Sequence, residues 1–404
     1  MKSVGVIVEY NPFHNGHSYH LEAARALSKA DVVIAVMSGD FLQRGEPALV
    51  SKWYRTKMAL LSGVDIVFEL PYLFATQKAE VFANGAISIL DAAGCDSLCF
   101  GSESGNTHSF HKTIEFLDSH QESYEEELRK YIKTGVSYPK ALSMSFEHLT
   151  HSEELLNLTT PNNILGFQYM KSIKRQNSSI LPLTFKRKNA EYHDESFSSE
   201  TIASATSIRK ALFSDDCSSV SIDQYVPSTT NNLLKEYIHH YGILHQWEIY
   251  WPYLQFRILQ CDPMELKDIY EVEEGIENRL IAAATESNCF HEFMEKVKTK
   301  RYTRTRLQRI CTHILTNTKK AEMQQNQEKA TYLRLLGMTK KGKEYLNKTK
   351  HHFSLPLVSK VSSFKNAEIR LDIKAARIYS YGLTINSKHE LLHQEYRQPP
   401  IYID

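Results

Sequence analysis

Two histidines separated by two residues lie near the start of the chain, in the run His14-Asn15-Gly16-His17. A glycine lets a phosphate approach the backbone closely, and the free N–H groups of a following helix point toward an anion. Donors fixed in this way stabilise the charge that develops on a phosphate during nucleotidyl transfer. The run therefore favours a triphosphate site, with His14 and His17 as catalytic residues.

The same run has two other interpretations. It could be an ordinary turn from a strand to a helix, with the glycine at positive φ. It could also bind a metal ion, because His14, His17 and His20 recur every three residues. No cysteine or paired carboxylate lies close in sequence to complete a coordination shell, so metal ligands stay unassigned. The position after a first strand favours the triphosphate.

Strands and helices alternate around this motif. Apolar and β-branched runs predict strands over residues 4–8, 31–36, 65–70, 97–101 and 180–185. Helical spacing predicts helices over residues 17–29, 52–61 and 79–93. This alternation predicts an α/β fold with a doubly wound parallel sheet of about five strands.

Polar and glycine-rich residues follow these strands. The carboxyl ends of parallel strands meet at one edge of the sheet, where ligands bind. Asp40, after the second strand, could act in catalysis by orienting a histidine or could hold Mg²⁺, and Arg44 could bind a phosphate or a carboxylate. Gly101 could let an adenine lie on the backbone. Pro161 predicts the start of a helix that places Asn162 at the same edge.

A second set of candidate anion ligands follows the fifth predicted strand. Arg187 lies in a run of three cations at 186–188. The segment 202–209 then places small hydroxyl residues, including Thr206, at the start of a helix, with Arg209 in its first turn. A capped surface helix is the alternative. Together with the upstream histidines, the pattern favours phosphate binding.

Composition limits the class of protein. The chain has 404 residues and a formal net charge of +1, with 42% hydrophobic residues, which is enough for two domains. A near-neutral charge means that a polyanion must bind to a local patch. Six cysteines without C-x-x-C pairs indicate reduced thiols in a cytoplasmic protein. We expect no signal peptide and no membrane span.

The second half of the sequence changes character. From about residue 231 the periodicity is helical, so we divide the chain into domains 1–225 and 226–404, the second mostly α-helical. Segment 296–309 has seven cations in fourteen residues and no acid. An internal salt-bridge network with the acidic segment 271–277 is one interpretation, and an RNA backbone is the favoured one. The candidate RNA-binding residues are Lys298, Lys300, Arg301, Arg304 and Arg306.

Several strings together resemble a known family. The histidine motif and the segment 204–209 are similar to the nucleotidyltransferase superfamily that carries the HIGH motif. The strings at 8–17, 41–48, 68–71 and 100–103, with 274–279 and 336–338 in the second half, closely resemble the bacterial tRNA(Met) cytidine acetate ligases.

This resemblance implies a Rossmann-like, HUP-type fold and a two-step reaction. Acetate and ATP would form acetyl-adenylate in domain 1–225, and domain 226–404 would bind elongator tRNA(Met). The acetyl group would pass to N4 of the wobble cytidine, giving N4-acetylcytidine. Mg²⁺ is expected with ATP, and no protein partner is indicated. The residues implied to bind ATP are Ile7, Val8, Glu9, Tyr10, Asn11, Pro12, Phe13, His14, Asn15, Gly16, His17, Ser18, Tyr19, His20, Gly101, Asn162 and Arg187, to which the second anion set adds Thr206 and Arg209.

Two other functions stay open at this point. The chain could be a nucleotidyltransferase for a small molecule, or the related acetate ligase that acylates a carrier-protein thiol. It could also be a non-catalytic RNA-binding protein on the same scaffold. The basic second half argues against the first, and the two intact anion-binding sets argue against the second.

Overall fold

The five strands predicted from the sequence lie parallel in one sheet, and three further strands extend it. The computed structural model describes residues 1–150, 154–187, 201–214, 222–324 and 327–404. Within these ranges the strand order is β5-β4-β1-β2-β3-β6-β7, with β8 beside β6. The strands are β1 (Ser3–Val8), β2 (Val32–Ser38), β3 (Ile66–Leu70), β4 (Ser97–Ser102), β5 (Leu181–Lys186), β6 (Leu333–Thr339), β7 (Leu357–Val358) and β8 (Ile401–Ile403).

Helices connect the strands and form most of the second half. None of those in the described ranges combines the length and the hydrophobicity needed to cross a bilayer. The helices are α1 (Asn15–Ser28), α2 (Lys52–Leu61), α3 (Tyr72–Ala75), α4 (Ala79–Ala92), α5 (Thr107–Ser119), α6 (Gln121–Lys133), α7 (Tyr138–Leu149), α8 (Pro161–Arg175), α9 (Ala205–Leu212), α10 (Ser228–Tyr241), α11 (Trp247–Gln260), α12 (Pro263–Lys267), α13 (Ile276–Thr285), α14 (Phe290–Val297), α15 (Arg304–Leu315), α16 (Lys320–Gln324), α17 (Lys340–Thr349), α18 (Ile369–Ser380) and α19 (Ile385–Arg397).

The centre of the sheet is buried on both faces. All seven residues of β2 and all five of β3 are buried, which explains why their sequences are continuous apolar runs rather than alternating ones. Each of the five parallel strands pairs with its neighbour in the direction predicted. The predicted α/β fold and the mostly helical second half are confirmed.

The second half also contributes strands, which the sequence did not predict. β6 runs antiparallel to β3, with Ile66 opposite Met338, and β8 pairs with β6. A short apolar strand resembles a buried helical segment in sequence, and the partner strand of β6 lies more than two hundred and fifty residues earlier in the chain. The boundary at 225/226 stays a prediction, and the sheet itself extends across it.

A cluster of buried charges joins the last helix to this sheet. Glu395, on α19, lies 2.9 Å from Lys52 Nζ of α2 and 2.6 Å from Arg334 of β6. Glu69 of β3 lies 2.8 Å from both cations. All four side chains are buried, so each charge depends on its partners for the solvation it has lost.

Replacing Glu395 with alanine should therefore destabilise the protein strongly. Lys52 and Arg334 would keep Glu69, and Lys52 also the more distant Asp40 at 3.9 Å, but breaking a buried ion pair in this way costs about 3–5 kcal/mol. Urea unfolding measures this loss. Glu390→Ala on the same helix removes an exposed hydrogen bond with His240 and should cost less than about 0.5 kcal/mol. Equal losses in the two variants would contradict the importance of the buried cluster.

Candidate active site

A cavity of about 250 Å³ lies at the carboxyl ends of β1, β4 and β5. It lies where ligands bind in open parallel sheets. The predicted residues that line it are Ile7, Val8, Glu9, Tyr10, Asn11, His14, Gly16, His17, Tyr19, His20, Arg44, Gly101, Asn162, Arg187, Thr206 and Arg209.

Four predicted residues of the same turn do not line the cavity. Phe13 is fully buried in the core, and Pro12 is buried beside it. The side-chain amide of Asn15 donates hydrogen bonds to the carbonyls of Thr201 and Gln224, both at 2.9 Å. Ser18 belongs to the first turns of α1. These contacts indicate that the turn needs support from residues that do not face the ligand.

The two histidines of the motif cap α1 reciprocally. His14 is the N-cap residue, and its Nδ1 accepts a hydrogen bond from the backbone N–H of Gly16 at 3.0 Å. Nδ1 of His17 accepts one from the backbone N–H of His14 at 3.2 Å. Because Nδ1 is the acceptor in both rings, the proton of each neutral ring is on Nε2. Each ring therefore offers an Nε2–H donor.

The surroundings keep these rings neutral. Burial, with the charges of Arg187 and Arg209, lowers the pKa of His14 to about 3. Burial, with His14 and His20 nearby, lowers the pKa of His17 well below its ordinary value of 6.5. Burial also lowers the pKa of His20 to about 4. At neutral pH the three rings are therefore neutral, and His20 already donates its Nε2–H to the carbonyl of Cys99 at 3.0 Å.

Gly16 is required for a second reason, besides the predicted approach of a phosphate. A Cβ atom at this position would lie 2.8 Å from Cε1 and 3.0 Å from Nδ1 of His14. The glycine therefore makes room for the capping histidine ring. This contact, and not only the approach of a phosphate, excludes a larger residue here.

Arg187 is held by a chain of hydrogen bonds. It donates to Oδ1 of Asn162 at 3.1 Å, and the Asn162 amide donates to Oε1 of Glu103 at 2.8 Å. Glu103 also accepts from the backbone N–H of Asn163 at 2.7 Å, at the start of α8. A Cβ on Gly101 would lie 3.0 Å from Cγ of Arg187. Glu103 was not among the predicted site residues.

Aromatic and apolar side chains complete this end of the cavity. Sequence reasoning missed them because apolar residues at strand ends and on helices are usually core residues. They give the flat apolar surface that a nucleobase requires. Those that line the cavity are Phe82, Phe100, Leu165, Tyr169 and Phe185.

The second predicted anion set is assembled at the opposite side. The Ser204 hydroxyl accepts from the backbone N–H of Ser207 at 3.0 Å and so caps α9. Arg209 donates to the carbonyl of Asn11 at 2.9 Å and to Oε2 of Glu46 at 3.0 Å. Thr206 lines the cavity, and its side chain is exposed. Lys188, part of the predicted run of cations, lies outside the described residues.

Asp40, predicted to be catalytic, does not line the cavity. Its Oδ1 accepts a hydrogen bond from the backbone N–H of Lys52 at 3.0 Å, and its Oδ2 lies 3.9 Å from Nζ of the same lysine. Burial raises the pKa of this carboxyl. The prediction relied on position after β2, but the side chain faces the buried charges. We assign Asp40 to the support of α2.

All three candidate RNA-binding arginines are paired with glutamates. The pairs are Arg301 with Glu274 at 3.0 Å, Arg304 with Glu295 at 3.2 Å and Arg306 with Glu273 at 3.1 Å. Such exposed pairs contribute little, so phosphates can compete for the cations. Lys298 and Lys300 are exposed and make no ion pair in the described part of the chain. RNA binding by this segment stays a prediction.

No metal-binding cluster is found where the structure describes the chain. No group of three histidine, cysteine or carboxylate side chains is placed to hold an ion there. The interpretation of His14, His17 and His20 as metal ligands therefore has no support in their geometry.

Comparison with known proteins gives consistent similarities over the whole chain. The HIGH Nucleotidyl Transferase family matches residues 1–395. A tRNA(Met) cytidine acetate ligase of Bacillus licheniformis is 50% identical, over 100% of this chain and 98% of that protein. The protein of the same name from Bacillus subtilis is 48% identical with the same coverage.

Two crystal structures of Thermotoga maritima TmcAL are similar to this fold. The apo form has a TM-score of 0.92 at 33% identity and covers 100% of both chains. The form bound with α-thio ATP has a TM-score of 0.91 at 32% identity, with the same coverage.

The low pKa of His14 predicts how stability depends on pH. The folded protein resists protonation of a ring that titrates near 6.5 when unfolded, so stability falls as the pH falls below that value toward 3. His14→Asn keeps an N-cap acceptor that does not titrate. Between about pH 7 and about pH 5, the wild type should lose about 2 kcal/mol more unfolding free energy than the variant. Urea unfolding at both pH values measures this, and parallel losses would contradict it.

Proposed function

The chain belongs to the HIGH nucleotidyl transferase family and, within it, to the tRNA(Met) cytidine acetate ligases, and we propose that it acetylates tRNA with acetate and ATP. Acetate would first form acetyl-adenylate with release of pyrophosphate. The acetyl group would then pass to N4 of the wobble cytidine of elongator tRNA(Met), in the cytoplasm.

The observation that carries this proposal is the single cavity that both anion-binding sets share. His14 and His17 reach it from the start of α1, Arg187 from just after β5 and Arg209 from α9. The aromatic end suits an adenine and the cationic part suits a triphosphate. The ATP analogue bound by the Thermotoga maritima relative supports the same assignment.

In the first step a carboxylate oxygen of acetate bonds to the α-phosphorus while the bond to pyrophosphate breaks. Negative charge grows on the phosphoryl oxygens in the transition state. The Nε2–H donors of His14 and His17 are already oriented by their Nδ1 hydrogen bonds, so little reorganisation is needed. Arg187, held by Asn162, would stabilise the phosphates from the other side.

The second step explains why activation must come first. The lone pair of the cytidine N4 amine is delocalised into the ring, so this amine needs a strongly activated acyl donor. The mixed anhydride with AMP is such a donor. The cytidine must also leave its stack to bring N4 to the cavity, as other base-modifying enzymes require.

Mg²⁺ is expected to enter with ATP. Mg²⁺ is commonly bound through substrate phosphates, water and one or two carboxylates rather than by a protein cage. Glu9 lines the cavity and makes no ion pair within the described ranges, so it is the carboxylate we assign to this ion, directly or through water. The ion would neutralise part of the phosphate charge.

Labelled acetate tests the order of the two steps. With ATP and acetate alone, the protein should form labelled acetyl-adenylate, and added tRNA(Met) should then take up the label. Acetyl-CoA should not replace acetate plus ATP. Thin-layer separation of adenylate and nucleosides measures both steps. Label that reaches RNA from acetyl-CoA without ATP, or pyrophosphate release that does not depend on acetate, would contradict the proposal.

Substituting two exposed lysines of segment 296–309 is the sharpest test of tRNA binding. Replacing Lys298 and Lys300 with alanine should weaken tRNA binding and reduce its salt dependence by roughly one unit of slope per lost phosphate contact. ATP binding should not change. Filter binding over a range of salt concentrations measures the slope. The matched control, Lys130→Ala with Lys133→Ala on α6, removes the same charge elsewhere. An equal change in the control would assign the effect to net charge alone.

A further inference from the structure

Acetyl transfer needs a group that accepts a proton from the cytidine. The amine N4 bonds to the carbonyl carbon of acetyl-adenylate, the bond from that carbon to the AMP oxygen breaks, and N4 must lose a proton. A positioned side chain with a free lone pair can take this proton. His14 and His17 cannot, because both Nδ1 atoms accept backbone N–H groups and both Nε2 atoms carry the proton of a neutral ring. The base must therefore be another residue.

Two carboxylates are found among the described residues that line the cavity, Glu9 and Glu46. Oε1 of Glu9 accepts a hydrogen bond from the backbone N–H of Gln43 at 2.7 Å, and this carboxylate is the one assigned to Mg²⁺. Glu46 uses Oε2 to accept a hydrogen bond from Arg209 at 3.0 Å. Its Oε1 accepts none within the described residues, and its side chain is 26% exposed. Glu46 thus keeps an accessible oxygen for a ligand.

The order of the strands indicates which part of the substrates Glu46 meets. Across this edge of the sheet the strands run β5, β4, β1 and β2. Phe185 and Phe100, two of the aromatic residues that suit adenine, belong to β5 and β4, and His20 is hydrogen-bonded to a carbonyl of β4. The histidine turn follows β1, and Glu46 follows β2. An acyl group joined to adenosine through the α-phosphate can therefore extend toward Glu46.

The loop that carries Glu46 also contacts the helix that begins in the basic segment. The carbonyl of Gly45 accepts a hydrogen bond from Thr312 of α15 at 2.7 Å. Helix α15 begins at Arg304, in the segment proposed to bind RNA. Arg209 joins Glu46 to the histidine turn. Glu46 thus lies between the candidate RNA surface and the residues that suit the phosphates.

We propose that Oε1 of Glu46 accepts a hydrogen bond from N4 of the cytidine and then takes its proton. This inference rests on the proposed function and adds a catalytic residue to its second step. Carboxylates accept hydrogen bonds from this amino group in nucleic-acid recognition. Once N4 bonds to the carbonyl carbon its N–H groups become strongly acidic, so a carboxylate is a sufficient base. AMP leaves with the electrons of the broken bond, and Glu46 returns the proton to solvent.

Glu46→Gln tests the base with a small change in shape. The amide can keep an oxygen toward Arg209, but it offers N4 a donor in place of the carboxylate acceptor. With synthetic acetyl-adenylate and saturating tRNA(Met), acetyl transfer should slow by a factor on the order of a hundred or more. Acetate-dependent pyrophosphate exchange, which needs no base, should fall by no more than about threefold. Glu46→Asp keeps a carboxylate and should transfer within about tenfold of the wild-type rate.

Glu80→Gln is the matched control. Glu80 accepts a hydrogen bond from Arg175 at 3.3 Å, and it does not line the cavity. This variant removes the same charge from an arginine pair and should keep both rates. Thermal unfolding with and without ATP shows whether each variant folds and binds nucleotide. If Glu46→Gln does not fold, Glu46→Ala replaces it. Its transfer rate should rise when formate supplies the missing carboxylate, and no rise would overturn the assignment.

The outcomes separate this inference from the proposed function. A wild-type protein with neither acetate-dependent exchange nor transfer from acetyl-adenylate would overturn the proposed function itself. An active wild type with undiminished transfer in Glu46→Gln would overturn only the role of Glu46. Equal losses of exchange and transfer in that variant would also overturn it, because Glu46 would then act only by holding Arg209.

Discussion

The site depends on the hydrogen bonds that the buried guanidinium of Arg55 donates to backbone carbonyls. It is fully buried and donates to the carbonyls of Glu9 at 2.7 Å, Ser38 at 3.0 Å and Gly39. These carbonyls lie at or just after the ends of β1 and β2, and buried carbonyls need a donor. By donating to these carbonyls, Arg55 holds the start of the histidine turn in place.

The second half of the chain supports the same edge of the sheet. Gly45, in the loop after β2, has φ +78°, and a Cβ there would lie 2.3 Å from the backbone N of Arg309. Its carbonyl accepts a hydrogen bond from Thr312 at 2.7 Å. Both partners belong to α15, which begins at Arg304 in the basic segment. One helix thus joins the candidate RNA surface to the loop that carries Glu46, the partner of Arg209.

Burying the two histidines lowers the stability of the protein at acid pH but fixes the orientation of their rings before a ligand binds. Burial disfavours their charged forms, and the arginines nearby disfavour them further. The result is a set of cations and neutral donors whose positions are fixed before ATP binds. Because each Nδ1 is used in the cap of α1, the same hydrogen bonds that start the helix also select the tautomer with the proton on Nε2.

The sequence alone determined the features that local chemistry fixes. Continuous apolar runs gave the five parallel strands, helical spacing gave α2 at its observed bounds, and the motif 14–17 marked the ligand-binding edge. Tertiary structure decided the rest. The pairing of β6 with β3 and the turn of Asp40 away from the cavity each depend on a partner elsewhere in the chain. No local pattern encodes such a partner, because burial and pairing are set only when the chain has folded.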